Sequence, residues 1–289
     1  MTAVTATGLI QPFKVRHALI PLDHWEKYRV LAGCKVRLSH LPADATAYCP
    51  DKPSDHHQLK QYREEIDDLA AALAAENQRA LLVILQGMDA SGKDGVVKKV
   101  FTGVNPQHCK VVSFKAPDRE ELEHDYLWRV YRALPANGEL GVFNRSQYED
   151  VIARVARGDI PREEGRMRLR QIADVERAWT ENGLVIRKFF LHISRHEQTA
   201  RFRKRLDNPD KHWKVERSDF KDRKRWPQFQ KIYEETLRRT STDASPWYVI
   251  PADHKWYRDL AVAGIVLGAL REMNPRTPHP HLDMSRYKQ

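Results

Sequence analysis

The sequence predicts an α/β protein, a three-layer sandwich in which a five-stranded parallel sheet is covered on both faces by helices. Short apolar runs at 80–85, 111–114, 140–143, 184–193 and 247–250 alternate with segments of helical periodicity, the pattern of strands joined by crossover helices. The fourth run, LVIRKFFLHI, is near-continuously apolar, as a strand buried on both faces requires. A chain of 289 residues with 41% apolar content can bury one substantial core, so a single domain with appendages is expected.

Residues 1–54 carry Pro12, Pro21, Pro42, Pro50 and Pro53, which break any long element; this segment is expected to be an irregular arm that wraps the main domain. Over 55–76 the spacing of Leu59, Tyr62, Ile66, Leu69 and Leu73 predicts an amphipathic helix leading into the first strand, 80–85. The helix after that strand carries Val96, Val97, Val100 and Phe101. A second strand at 111–114 is followed by Asp118, which caps a helix containing Leu122, Tyr126, Trp128 and Tyr131. A third strand occupies 140–143. Residues 151–182 read as helical, broken near Gly158 and Pro161, and their arginines at 154, 157, 162, 166, 168 and 170 suggest a helical lid over about 154–182. Gly183 ends that segment before the fourth strand. Helices at 195–206 and 219–239, a fifth strand at 247–250 and a helix at 257–273 complete a main domain of 55–273. A loose tail, 274–289, contains three prolines. In such a sheet, ligands bind at the carboxyl ends of the strands.

Between the first strand and its helix lies Gly87-x-x-x-x-Gly92-Lys93, the spacing of a phosphate-binding loop in the setting that such a loop needs. Gly87 and Gly92 let the backbone curl, so the stretch from Gly87 through Ala90, Ser91 and Gly92 to Lys93, Asp94 and Gly95 can present amides and a helix N-terminus to phosphate oxygens. The residue after the lysine is Asp94, where a magnesium-holding Ser or Thr is usual. A carboxylate beside bound phosphates is tolerable only with a divalent cation between them or cationic side chains around it. Asp89 lies inside the loop. Asp89 and Asp94 are therefore candidate ligands for magnesium, with manganese as a substitute; the weaker alternative is that Asp89 merely caps a turn.

Composition excludes several classes. No stretch approaches a membrane span, and the first residues show neither a basic start nor a long apolar segment, so a cytoplasmic protein without a membrane partner is expected. Cys34, Cys49 and Cys109 are odd in number and widely spaced, which argues for reduced thiols and against a zinc site. The His56–His57 pair, His279 and His281 are read as exposed side chains rather than ligands. The net charge is +10, and residues 195–225 hold twelve Lys or Arg against six Asp or Glu. Such a stripe suits an extended polyanion, either nucleic acid or a phosphate polymer.

The third strand runs into Phe143-Asn144-Arg145-Ser146-Gln147-Tyr148-Glu149-Asp150, where a nucleotide kinase keeps its second motif. Arg145 is placed there to grip a phosphate beside Asn144, with Glu149 and Asp150 one helical turn further on, unless these two acids only cap a helix. With G-M-D-A-S-G-K-D-G and F-N-R-S-Q-Y-E-D, the chain resembles the polyphosphate kinase 2 family. LHIS at 191–194, LDNPDKHWK at 206–214 and SPWYVIPADHKWYRDL at 245–260 extend the resemblance over most of 55–273; Ser91 stands where Gly is commoner in the family. The resemblance implies a P-loop kinase-like fold and reversible, magnesium-dependent phosphoryl transfer between inorganic polyphosphate and a nucleoside mono- or diphosphate. It implies that Asp89 orients the metal and the acceptor oxygen, that Lys93 stabilises the transferred group and that Arg145 holds donor and acceptor together. Arg168, Arg205, Lys211 and Lys214 would line the polymer's path. A homo-oligomer, dimer or tetramer, is expected. The neighbourhood of Glu121 and Glu123 resembles members that accept both mono- and diphosphates.

Two other readings compete. An ATP-dependent kinase of nucleotides or another small metabolite would share the loop; Asp94 and the basic stretch favour the polymer donor. A nucleic-acid module could stack bases on Trp213, Trp226 and Phe229, but those positions default to core packing, and no nucleic-acid partner is expected.

Overall fold

The computed structural model describes residues 20–46 and 52–278, with side chains described from 57 onward in the second stretch. Cys49, the His56 side chain, His279, His281 and the outer parts of the expected arm and tail lie outside the described residues. The strands are β1 (Arg29–Val30), β2 (Ala80–Gln86), β3 (Cys109–Ser113), β4 (Leu140–Asn144), β5 (Leu184–His192) and β6 (Trp247–Pro251). The helices are α1 (Lys52–Glu76), α2 (Lys93–Val100), α3 (Arg119–Leu122), α4 (Trp128–Ala133), α5 (Glu149–Arg157), α6 (Arg162–Glu181), α7 (Arg195–Leu206), α8 (Arg217–Lys224), α9 (Trp226–Thr240) and α10 (Lys255–Met273).

The sheet order is β1-β6-β5-β2-β4-β3. The five expected strands pair in parallel, with Leu82 opposite Gly141 and Ile186 at the centre. The expected count of five falls one short. β1, two residues from the arm, pairs antiparallel with β6, Val30 opposite Trp247. Two residues carry no periodicity, so this edge strand left no sequence signal. From β2 the chain leaves toward β3 and β4 on one side and returns past β2 to β5 and β6 on the other, which puts a crevice at the carboxyl end of β2.

Helices α1, α2 and α10 cover one face and α5, α6 and α9 the other. Leu81, Leu82, Val83, Ile84 and Leu85 are completely buried between the layers. β5 carries one charge into this core: Lys188 donates to Glu176 of α6 at 2.5 Å and to Thr240 O at 2.6 Å, and Glu176 also accepts from Tyr148 and Ser245 at 2.8 Å. Leu169, Ile172 and Trp179 are buried beside it. Residues 162–181 therefore form a layer helix rather than the expected lid, because their arginines alternate with core residues at helical spacing.

Two expected helices are each split in two. Asp118 caps as expected, in a reciprocal box with Glu121, but α3 ends at Leu122 and α4 begins at Trp128. The helix expected over 219–239 is divided at Arg225, with Pro227 at the start of α9. Among the described arm residues, Trp25 is fully buried against Gly264 of α10 and Asp253 N donates to Ala43 O, so the arm lies on the main domain. No helix among the described residues is long and apolar enough to cross a membrane.

Candidate active site

The loop after β2 is shaped by its two glycines. Gly87 has φ +152°, and a Cβ there would lie 2.7 Å from Ser91 Oγ and 2.8 Å from Leu191 O. Gly92, at φ +106°, would meet a guanidinium nitrogen of Arg258 at 1.8 Å. Ala90 adopts φ +61° without a glycine's freedom, so its surroundings must hold it there. Lys93, the first residue of α2, is buried and folds back over the loop, its Nζ donating to Gly87 O at 2.6 Å and Met88 O at 3.3 Å. Burial and the Arg145 charge push the Lys93 ammonium down, while Asp89, Glu149 and Asp94 pull it up.

At the end of β4, Arg145 also has a positive φ, +65°, and its N–H donates to Leu85 O at 3.0 Å, tying the two motifs together. Its guanidinium faces Asp89 Oδ1 at 3.4 Å. Glu149, in the first turn of α5, lies against the same cluster, and the Gln86 amide can be turned to donate to Glu149 Oε1 at 2.8 Å. Burial pushes the Glu149 carboxyl up against the opposing pull of Arg145 and Lys93. Its neighbour Asp150 instead takes Arg129 at 2.8 Å. Of the two acids, only Glu149 belongs to the site.

Asp89, Arg145 and Glu149 line a cavity of about 40 Å³ together with Gly87, Met88, Arg157, Asp222, Phe229 and Tyr233. The cavity has room only for a few water-sized groups and is far too small for a nucleotide. Arg157 and Asp222 form a bidentate pair in its wall, at 2.6 and 3.0 Å. The two are 65 positions apart and signal nothing locally. The segment 209–224, a 3-10 turn (Pro209–Lys214) followed by α8, supplies Asp222 and also brings Lys214 to within 3.7 Å of Asp94. That segment borders the loop where the sequence suggested 154–182.

The remaining candidates divide. Asn144 donates to Asp94 Oδ1 at 2.9 Å. Burial pushes the Asp94 carboxyl up, but Asn144, Lys214 and Lys93 outweigh it and hold the group below its ordinary range. The cationic surroundings that Asp94 was expected to need are therefore present. Arg205 stacks on Phe202, donates to Lys214 O at 3.4 Å and lies 3.8 Å from Asp219, whose carboxyl burial and the Asp89 charge raise to about 6. Lys211 is exposed. Arg168 is held by Glu164 at 2.7 Å, Asp150 O at 3.1 Å and the Tyr126 ring, outside the cavity lining. Glu121 is committed to the Asp118 cap and to Arg129 at 3.3 Å.

Among the described residues no three Asp, Glu, His or Cys side chains gather as a metal cage. A magnesium-type ion does not need one, since it keeps several waters and takes one or two carboxylates plus substrate phosphates. Asp89, a hard oxygen donor one-fifth exposed beside the cavity, fits that requirement. Both oxygens of Asp94 are already engaged.

Residues 50–278 match the family model described as Polyphosphate kinase 2 (PPK2). The chain is 42% identical over 256 residues to an AMP/ADP-polyphosphate phosphotransferase of Meiothermus ruber, covering 88% of this chain and 96% of that one. It is 39% identical over 265 residues to an ADP-polyphosphate phosphotransferase of Rhodopseudomonas palustris, covering 88% and 92%. The crystal structure of polyphosphate kinase 2 from Arthrobacter aurescens TC1 superposes with a TM-score of 0.88 at 36% identity, over 93% of this chain and 95% of that one.

Proposed function

The chain belongs to the polyphosphate kinase 2 family, and from that premise we propose that it transfers a phosphoryl group from inorganic polyphosphate to ADP and AMP at the loop 87–93. The observation that carries this reading is the cluster of Lys93, Arg145 and Asp89 on a phosphate-shaped loop at the crevice of the sheet. Such a transfer needs positioning and charge neutralisation and no covalent nucleophile. Lys93 leaves its loop carbonyls to meet the transferred group, and Arg145 spans donor and acceptor. Glu149 and Asp89 keep both cations charged and oriented. A divalent cation, magnesium with manganese as a substitute, would be held by Asp89 and would neutralise the phosphate oxygens. Asp94, already accepting from Asn144 and paired with Lys214, is the second candidate ligand.

The test uses purified protein, magnesium, long-chain polyphosphate and either ADP or AMP, with no nucleoside triphosphate added. ATP should form from ADP, and ADP from AMP. Product only when ATP is the donor would make the chain an ordinary kinase. Separate rates for the two acceptors fix its preference.

The cover over the loop is assigned to 209–224, inside the main domain of 55–273, and the polymer is assigned to the same side. Lys214→Ala and Lys211→Ala should raise KM for polyphosphate several-fold while changing KM for ADP less. A chain spreads its charge over many contacts and the nucleotide is held locally. Arg205→Ala acts through Lys214 and should do the same more weakly. Exposed charge reaches only about 8 Å at about 0.15 M salt, so the wild-type KM for long polyphosphate should climb with ionic strength, more steeply than in the variants. Equal effects on both substrates would place the polymer elsewhere. Arg168, paired with Glu164 and lying outside the cavity lining, is a secondary candidate for that path.

The same reading includes cytoplasmic placement, a homo-oligomer and no nucleic-acid partner. Phe229 is buried in the cavity wall and Trp226 packs on the core, which leaves Trp213 of the three aromatics open for stacking.

A further inference from the structure

The back of the phosphate loop is held by two buried arginines, one from α7 and one from α10. Arg201 of α7 donates through one nitrogen to Ala90 O and Ser91 O, each at 2.9 Å, and through the other to Ala252 O at 2.6 Å and Asp253 O at 2.9 Å. Arg258 of α10 donates to the same Ser91 O at 3.1 Å. Their residues are 7% and 2% exposed. One carbonyl oxygen thus accepts from two guanidinium groups, each with its own counter-ion: Glu197 on Arg201 at 2.8 Å and Asp259 on Arg258 at 2.6 and 2.9 Å.

The two guanidinium groups serve four carbonyls between them, but Ser91 O alone takes both; one donor would satisfy it, and burying a second charge against it is costly. A function explains the excess. Within a trans peptide the C=O and N–H point in opposite directions, so anchoring Ser91 O behind the loop turns the Gly92 N–H toward its front. Two cations on the carbonyl also polarise that peptide and strengthen its N–H as a donor. Anchoring Ala90 O by the same fork also explains how Ala90 is kept at φ +61°.

The start of α2 is cut to admit this device. A Cβ on Gly92 would meet Arg258 Nη1 at 1.8 Å, and one on Gly95, a turn later, would meet Arg258 Nη2 at 3.0 Å. The second glycine of the G-K-D-G run therefore makes room for Arg258.

We propose that Arg201 and Arg258 are positioning residues for phosphoryl transfer, which aim and polarise the Ser91–Gly92 peptide at the phosphate from guanidinium groups whose other nitrogens are fixed on Ala252, Asp253 and Asp259, a forked anchorage that lysine cannot reproduce. This rests on the phosphate reading of the loop, and the two can fail separately. Calorimetric titration of the wild-type protein with tripolyphosphate and magnesium tests the phosphate reading, and absence of binding would remove phosphate from the loop. Once binding is measured, Arg201→Lys and Arg258→Lys keep the charge but lose the fork. Each should weaken tripolyphosphate at least fivefold and lower kcat at least tenfold, with KM for ADP changed less than threefold and an unaltered far-UV circular dichroism spectrum. Folded variants with affinity and kcat within twofold of wild type would overturn the proposal.

If the lysine variants do not fold, Gly95→Ala carries the test. Alanine favours the helix, so a merely structural role predicts equal or higher thermal stability with phosphate binding untouched. Positioning predicts the same stability with tripolyphosphate bound at least threefold more weakly, because the new methyl group pushes the Arg258 guanidinium a few tenths of an ångström off Ser91 O. Unchanged affinity in Gly95→Ala would overturn the assignment of Arg258.

Discussion

Lys93→Ala lowers kcat for polyphosphate-dependent ATP formation by about three orders of magnitude, roughly 4 kcal/mol of transition-state stabilisation, while the protein stays folded. The side chain is buried on the loop itself, its Nζ on the carbonyls of Gly87 and Met88, so it lies where charge develops. Its ammonium is kept by Asp89, Glu149 and Asp94 against burial and Arg145. Lys93→Met should be as inactive, since it keeps the stem and loses only the charge. There is a secondary effect with a definite sign. Lys93 is one of the two cations that hold the buried Glu149 carboxyl down, so its removal should raise that carboxyl further and move the acid limb of the residual activity to higher pH. Turnover within a few-fold of wild type would show that this loop is not the catalytic centre.

How much of this was legible in the sequence follows from the range over which each signal acts. The loop, its flanking strand and helix, and Arg145 were readable because their geometry is local: two glycines at fixed spacing, an apolar run and a strand end. The parallel strands β2, β4, β5 and β6 were readable because burial leaves a mostly apolar run, while the exposed edge strand β3 showed only the short run at 111–114. What was missed depends on pairing across the chain. Arg157 and Asp222 meet only because α5 and α8 do, and Arg201 and Arg258 converge on Ser91 from two helices. The arginines of 154–182 misled for a related reason. Charge density near a phosphate site does not say which face of a helix is in the core, and Leu169, Ile172, Glu176 and Trp179 decide that for α6. Lys188 shows the converse, a fully buried lysine in a strand whose apolar character was read correctly.

Asp89→Asn tests what the loop carboxylate is for, because charge alone predicts the opposite of what is expected. The cavity lining sets the cations Arg145 and Arg157 against the anions Asp89, Glu149 and Asp222, with Lys93 beside it. Removing one negative charge at nearly constant shape makes the site more attractive to a polyanion, so KM for polyphosphate should hold or fall. The amide oxygen that replaces the carboxylate can still accept from Arg145, so the loop should keep its form. If Asp89 nevertheless holds a hydrated divalent cation and orients the acceptor oxygen, kcat falls at least a thousandfold while binding of tripolyphosphate survives. Raising magnesium tenfold should not repair the loss, since the defect is a missing ligand at a fixed position rather than a weakened equilibrium. Full activity in Asp89→Asn would reduce Asp89 to a turn residue. A parallel loss of tripolyphosphate affinity and kcat would instead assign it to shaping the loop, and the metal would then have to be sought at Asp94, freed from Asn144 and Lys214.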